Sequence, residues 1–371
     1  MGVIFYVMLA LRAELRARGA FAAKAEPNLA ELLDLVALGT VADVVRLDAN
    51  NRILVTQGLA RIRAGKACAG VAALLQVADR PARQAAAYDL GYVVGPRLNA
   101  AGRLQDMSLG IECLVTDDPG HALALASRLD ALNRERREIE REMQESALAM
   151  MAGVDAGDAY TVSVHRDEWH AGVVGILASR LKDRFHRPVF AFASDGAERL
   201  KGSGRSVAAL HLRDALDLVD KRRPGLLERF GGHAAAAGVT IARPALDDFR
   251  AAFEAVARER LTPADLDQRI ECDGELASAD VTYELAALLR EQVWGQGFPE
   301  PRFAGRFAVE SQRVVGEKHL RLTLALGSRR FPAIRFGSAD PLPESIHAVY
   351  RLDVNEYQGV ESLQLVVEHV L

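Results

Sequence analysis

Cysteine is scarce in this sequence of 371 residues. Its three cysteines, Cys68, Cys113 and Cys272, lie far apart and form no Cys-x-x-Cys pair. Paired spacing is the usual mark of a structural zinc site, and a high density of cysteine is the usual mark of a disulfide framework. The sequence argues against both and fits a reducing, cytoplasmic environment.

Long apolar runs and a large net charge are also missing. No hydrophobic stretch approaches the roughly 20 residues that a membrane span needs, so we expect no membrane association. The apolar residues 1–11 lack the preceding basic residues of a signal peptide, and we expect them to form a buried core helix. The formal net charge is −4, so a nucleic-acid partner would require a local basic patch.

The sequence is long enough for two or three domains, and its patterns divide it into four regions. Residues 1–118 predict short helices around a β-prone segment at residues 40–45. Residues 119–153 predict one densely charged, solvent-exposed helix that connects two domains. Residues 154–261 alternate strand and helix, as an α/β domain does, and residues 262–371 contain short strands typical of an OB-type barrel. The predicted fold class is α/β with several domains.

Two glycine-rich segments are the strongest indication of a ligand. The first runs over residues 201–206 and the second over residues 230–234, and we expect both to be loops of the α/β domain. Glycine lets the backbone approach a ligand closely, so that successive N–H groups can bind one anion. Ser203, Arg205 and His233 supply the side-chain donors that commonly hold a phosphate. We favour a phosphate site over an ordinary turn with a surface arginine.

Other candidates come with open alternatives. Gly231, Gly232 and His233 fit a phosphate loop and a helix terminator with a hydrogen-bonded histidine equally well. His170 precedes a predicted helix, where anions are stabilised, although the glycines after it favour close packing of that helix. The segment Gly95–Leu104 holds two arginines for which a structural ion pair is the stronger alternative to a phosphate contact. Its polar candidates are Arg97, Asn99 and Arg103.

Asp43 is the single acidic candidate for a metal ligand. It follows a β-prone run, and it could bind a metal at a strand end, cap the next turn or pair with Arg46. A two-metal site shares several carboxylates or imidazoles, and no other Asp/His cluster with ligand spacing lies nearby in the sequence. Asp43 alone therefore cannot hold a catalytic pair of ions.

The last region combines aromatic and basic residues. Its strands are predicted over residues 302–315, 319–326, 331–336, 345–354 and 362–370. The aromatic residues recur at strand spacing, so we expect most of them to be barrel core rather than platforms for stacked bases. The basic residues favour a nucleic-acid groove more strongly. They are Arg302, Arg306, Lys318, Arg321, Arg329, Arg330 and Arg335.

Several long motifs, in order, resemble the bacterial single-strand-specific exonucleases of the DHH/DHHA1 phosphoesterase superfamily. They include GPRLNAAGRLQDMSLGIECLVTDD, EWHAGVVGILASRLKDRFHRPVFAFA, GSGRS and RFGGHAAAAG, and the resemblance extends over essentially the whole chain. It implies the C-terminal part of a DHH catalytic domain over 1–118, a connector helix over 119–153, a DHHA1 domain over 154–261 and an OB domain over 262–371. It also implies that the Asp-His-His motif and most metal ligands precede this chain, so we expect an incomplete, inactive fragment.

The resemblance implies a 5′→3′ exonuclease that hydrolyses single-stranded DNA to mononucleotides in repair and recombination, using two Mn²⁺ or Mg²⁺ ions. Asp43 would be a metal ligand and catalytic residue, and His233 would approach the scissile phosphate. The implied 5′-phosphate and DNA contacts are Arg103, Ser203, Gly204, Arg205, Arg97, Asn99, His170, Gly231 and Gly232. The implied partners are single-stranded DNA, single-strand-binding protein and a helicase.

Two other functions remain open at this point. One is a related phosphodiesterase that acts on short oligonucleotides or cyclic dinucleotides. The other is a non-catalytic protein that binds single strands.

Overall fold

The fold is given by a computed structural model that describes residues 1–151 and 158–371. Contacts within these residues divide the chain into two units, each with its own hydrophobic clusters. The first unit comprises Met1–Pro96, Glu112–Ala126 and Ile270–Leu371, and the second comprises Arg97–Ile111 and Ser127–Arg269. Every helix in the described residues is too short or too polar to cross a lipid bilayer.

The N-terminal region is helical, as predicted. Its α-helices are α1 (Gly2–Ala17), α2 (Leu33–Ala42), α3 (Ala49–Arg63), α4 (Ala69–Val77), α5 (Gly95–Leu104) and α6 (Ser108–Val115), and a π-helical turn (Asp89–Val94) leads into α5. Asp48 caps α3 by accepting a hydrogen bond of 2.8 Å from the Asn51 N–H. Burial of α1 differs from the prediction, because Phe5 is buried whereas Val3 and Val7 are exposed.

The β-prone segment 40–45 is not a strand, which corrects the sequence prediction. Thr40 to Ala42 form the last turn of α2, and the Val45 N–H donates to the Thr40 carbonyl (3.1 Å) to close a Schellman motif. Val44 takes the left-handed position with φ 55°, which a β-branched residue rarely adopts. Burial of Val36 and Leu38 in the helical core outweighs the local β-propensity.

The predicted connector is a single helix of 33 residues, α7 (Pro119–Met151). Its charged middle forms the expected short-range pairs, with Arg141 bound to both Glu138 and Glu145. The helix is not solvated on all sides, however, because Leu129 and Met143 are among several fully or nearly fully buried side chains. The charged exposed face concealed this apolar stripe in the sequence.

The α/β region contains one mixed sheet with helices on its faces. Its elements are β1 (Val162–His165), α8 (Val174–Phe185), β2 (Val189–Asp195), β3 (Arg199–Arg205), α9 (Leu212–Arg222), β4 (Arg229–Gly232), β5 (Ala236–Ala242) and α10 (Leu246–Arg260). The strand order is β1-β2-β3-β5-β4, with β1 and β2 parallel and the other pairs antiparallel. Alternation along β2 sends Phe190 and Phe192 to one core and Val189, Ala191 and Ala193 to the other.

The C-terminal region forms the predicted barrel. After α11 (Tyr283–Glu291) come β6 (Phe303–Val315), β7 (His319–Leu326), β8 (Arg329–Arg335), β9 (Ser345–Tyr357) and β10 (Val360–Val370), which close in the order β10-β8-β7-β6-β9. Phe307, Phe331 and Tyr350 fill the barrel, whereas Phe336 and Tyr357 are exposed. Most aromatic residues are therefore core, as the strand spacing predicted.

Candidate functional site

The first glycine-rich segment is part of strand β3, not a loop as the sequence predicted. Gly202 pairs with Phe192 and Gly204 pairs with Phe190 on the neighbouring strand. A Cβ atom on either glycine would lie 2.4 Å from the ring opposite. These glycines are therefore required by the two phenylalanine rings that cover this face of the sheet.

The polar residues of β3 project from the opposite face, because side chains alternate along a strand. Ser203 and Arg205 lie against the start of α8, where glycine leaves room for them. A Cβ on Gly175 would be 3.2 Å from the Arg205 Nη2 atom and 3.7 Å from the Ser203 Oγ atom. The first turn of α8 has no side-chain cap, so its positive dipole end remains available to an anion.

Arg205 is half-buried and has no carboxylate partner within 4 Å in the part of the chain that the structure describes. Its Nη1 atom donates to the adjacent Gly204 carbonyl (2.8 Å). Burial lowers the pKa of the Arg205 guanidinium, and the positive charge of Arg103 lowers this pKa further. Two close cations without a counter-charge repel each other, so an anion bound here would relieve an unfavourable arrangement.

Arg103 and His170 meet at the turn that leads into α8. The Arg103 Nη1 atom donates to the Gly172 carbonyl (3.1 Å), and the His170 Nδ1 atom accepts from the Gly172 N–H (3.1 Å). A Cβ on Gly172 would come within 2.5 Å of the Arg103 carbonyl oxygen. Close packing at this glycine is confirmed, whereas the anion-binding role of His170 before the helix stays a prediction.

The second glycine-rich segment is also not a loop, because Arg229 to Gly232 form strand β4. Register places Gly231 two strands from Ser203 on the same face, and Gly231 is exposed with nothing within 4 Å of a built Cβ. Gly232 adopts φ 143° and precedes the turn of exposed His233. This turn lies beside Arg205, since Arg205 pairs with Ala236. The helix-terminator alternative is wrong.

Arg97 and Asn99 lie on α5 in different surroundings. The guanidinium of Arg97 is buried and donates to the Asp130 Oδ1 atom (2.9 Å), while Arg134 binds the other oxygen of Asp130 (2.6 Å). Burial lowers the Arg97 pKa, and Asp130 opposes this shift. Arg97 therefore fits the structural ion pair that the sequence left open. Asn99 is exposed.

Asp43 is exposed at the end of α2, in the other unit. Across residues 1–151 and 158–371, no group of three or more His, Cys, Asp or Glu side chains is placed to hold a metal ion. A catalytic pair of Mg²⁺ or Mn²⁺ ions needs several oxygen ligands. The described residues therefore do not fit such a pair.

Two groups of basic residues are arranged in ways that the sequence did not predict, although Arg321 was itself a candidate. Arg136 on α7 donates to Asn133 and Glu140, and its pKa is lowered first by burial and also by the charge of Arg103. On the barrel, Arg313 of β6 lies directly opposite Arg321 of β7. Charged residues at helical spacing indicated ion pairs on α7, but nothing in the sequence indicated that Arg136 would be the arginine withdrawn from solvent. The second group required the strand register.

Two family models match the chain. The DHHA1 domain matches residues 157–259, and the RecJ OB domain matches residues 272–369. The α/β sheet and the closed barrel occupy these two ranges. The chain thus belongs to the class of proteins that combine a DHHA1 domain with a RecJ OB domain.

Comparison with individual proteins identifies the family within this class. The single-stranded-DNA-specific exonuclease RecJ of Dickeya dadantii is 53% identical over all of this chain, which spans 66% of that protein's length. Crystal structures of Thermus thermophilus RecJ in complex with Mg²⁺ and with Mn²⁺ are 30% identical, with a TM-score of 0.79 for each. They match 95% of this chain, over 53% and 51% of their own lengths. The chain belongs to the RecJ family.

Proposed function

We propose that this chain binds the 5′-phosphate end of single-stranded DNA at Ser203, Gly204, Arg205 and Arg103. The whole protein would hydrolyse the strand in the 5′→3′ direction to mononucleotides, in DNA repair and recombination. The observation that carries this proposal is the pair Arg103 and Arg205, which have no carboxylate partner among the residues that the structure describes. A guanidinium fork binds phosphate oxygens with charge-assisted hydrogen bonds, and the start of α8 adds its dipole.

Residues around these arginines would contact the rest of the terminal nucleotide. Ser203 offers a hydroxyl group on the same face as Arg205, and the exposed glycine Gly231 leaves space above the sheet. His233 lies in the turn beside Arg205, where we propose that it approaches the next phosphate. His170 and Gly232 would support the same pocket, and Asn99 the strand outside it.

Divalent ions belong to the proposed activity, because the Thermus thermophilus structures contain Mg²⁺ and Mn²⁺. When bound, such ions neutralise charge on the scissile phosphate and lower the pKa of a water. The described residues of this chain do not fit a pair of these ions. Asp43 would contribute one ligand, and this chain's own task would be to hold the strand.

The OB barrel would bind the strand further from the 5′ end. Arg313 and Arg321 are exposed cross-strand neighbours, and like charges in this position are destabilising unless an anion lies between them. Arg302 and Arg330 are less available, because they bind Glu368 (2.8 Å) and Glu310 (2.6 Å). We propose single-strand-binding protein and a helicase as further partners. We place the activity in the cytoplasm, which three free cysteines fit.

The test compares binding of 5′-phosphorylated and 5′-hydroxyl strands by fluorescence anisotropy at fixed salt. We expect the phosphorylated strand to bind about tenfold more tightly, because two charge-assisted contacts are gained. Arg205→Met should remove this preference. Arg199→Met is the control, since Arg199 lies on the same face of β3 but pairs with Glu228. Equal binding of both strands by the unmodified chain would refute the pocket, and equal affinity for a dinucleotide would favour the short-oligonucleotide alternative.

A further inference from the structure

Two tyrosines form a stacked pair on the surface of the first unit. The ring centroids of Tyr88 and Tyr92 are 5.0 Å apart with an angle of 24° between the ring planes. Their exposed fractions are 61% and 67%, so most of each side chain is open to solvent. The pair leaves on the order of 300 Å² of aromatic surface uncovered, a patch size that often marks a binding site.

The opposite side of the same helical segment is tightly held. The π-helical turn begins directly after Tyr88, and such turns are rare and frequent at functional sites. A Cβ on Gly91 would be 3.2 Å from Val41, and a Cβ on Gly95 would be 3.1 Å from Ala42. The segment therefore packs on the end of α2, immediately before Asp43.

Fixed contacts also hold the segment that precedes the tyrosines. The buried Asp89 carboxylate accepts from the Ala86 N–H (2.9 Å) and lies 3.7 Å from the Arg80 Nε atom. The Gln84 amide donates to Glu356 of the barrel (2.6 Å). The backbone that carries the two tyrosines is therefore held in place, so binding a ligand would cost little conformational entropy.

Charge near the pair favours a polyanion. Arg83 is exposed, and within the described residues it has no carboxylate partner. Arg63 donates its Nε hydrogen to the Ala85 carbonyl (2.8 Å), again without a carboxylate. Arg83 precedes Tyr88 by five residues in the chain, and Arg63 contacts Ala85, three residues before Tyr88. Aromatic rings and basic side chains on one segment are the features by which proteins bind single strands with little sequence preference.

We propose that Tyr88 and Tyr92 form a stacking platform for nucleobases of single-stranded DNA, on the helix that packs against the turn carrying Asp43. This platform rests on the proposed function and adds to it a contact with the bases. It makes no demand on base identity, because every base has a stackable face. The platform therefore distinguishes strands with accessible bases from duplex, in which the base faces are already stacked.

The experiment measures the affinity of the full 371-residue chain for an oligonucleotide and for a matched oligonucleotide of abasic sites. Both carry a 5′-phosphate. We expect Tyr88→Ala with Tyr92→Ala to weaken binding of the normal strand about tenfold and to leave binding of the abasic strand unchanged. The double phenylalanine variant keeps the rings and should bind both strands as the unmodified chain does.

Tyr6→Ala is the matched control, because Tyr6 is an exposed tyrosine elsewhere in the same unit, and it should leave both affinities unchanged. If the unmodified chain binds the normal strand and the double alanine variant binds it equally well, the platform is refuted while the proposed function stands. If the unmodified chain binds neither strand, the proposed function itself fails. A double phenylalanine variant as weak as the double alanine variant would also contradict stacking.

Discussion

Arg97 is buried and Arg205 is half-buried, but within the described residues only Arg97 has a carboxylate partner. This difference leads to opposite predictions for the stability of the two variants. Replacing Arg97 by methionine leaves the buried Asp130 with Arg134 alone. Removing one member of a buried ion pair costs about 3 kcal/mol at the low end of measured values. We expect Arg97→Met to lower the free energy of unfolding by about that amount.

Arg205→Met should behave differently, because no carboxylate is left behind. Methionine keeps the apolar part of the side chain and removes the guanidinium group, whose pKa is lowered by burial. We expect the free energy of unfolding to stay the same or to rise by about 1 kcal/mol, while the preference for a 5′-phosphate is lost. A variant that is more stable but binds less well would identify Arg205 as a binding residue.

Urea unfolding followed by tryptophan fluorescence measures both effects. In a Trp294→Phe background the signal comes from the buried Trp169, which lies in the same unit as both arginines. The ion-pair argument would be refuted if Arg97→Met cost less than about 1 kcal/mol. The binding argument would be refuted if Arg205→Met cost more than that amount, since the arginine would then contribute to the fold.

Three further predictions concern the sheet, the thiols and the barrel. Gly204→Ala should lower the free energy of unfolding by about 2 kcal/mol, because the added Cβ would overlap a buried ring. Gly231→Ala should change the free energy of unfolding by less than about 0.5 kcal/mol, because its Cβ would meet no other atom. Equal losses for the two variants in urea unfolding would contradict this. A thiol reagent at pH 8 should label the exposed Cys272 first, because burial raises the pKa of Cys68 to about 11; mass spectrometry of the labelled peptides decides. Arg321→Met should reduce the slope of log affinity against log salt by about 0.7, the value for one phosphate contact, and an unchanged slope would exclude Arg321 from the groove.

The barrel was the most predictable part of the fold. The stretch from His319 to Leu326 alternates apolar and polar residues, and glycines lie on either side of it, so the sequence predicted β7 with its observed bounds. Five alternating strands with tight turns have few arrangements other than a small barrel. Local pattern and tertiary structure agree here, because one face of each strand is buried in a single core.

The sequence named candidate site residues, which stay predictions, but it did not predict their geometry. Glycine normally indicates a turn, so Gly202 and Gly204 predicted a loop. Glycine is needed at these positions because the rings of Phe190 and Phe192 on strand β2 lie opposite them. No local sequence pattern indicates this pairing. The strand predicted around Asp43 was wrong for a similar reason, because the burial that stabilises α2 depends on tertiary contacts. Deciding whether Arg97 or Arg205 is free to bind phosphate required knowing which of them forms an ion pair with a carboxylate.

Closure of the barrel also has a consequence for synthesis on the ribosome. β10 pairs with both β8 and β9, and its pairing with β8 runs through Leu365 and Val366, so the ring of hydrogen bonds cannot close until Val366 has been added. Val366 follows Arg335, the end of β8, by 31 positions, and synthesis covers this distance in about 2 to 6 seconds. During this interval the edge of β8 is open to pairing with other nascent chains. The rate of translation through this region therefore sets how long each new molecule is prone to aggregate.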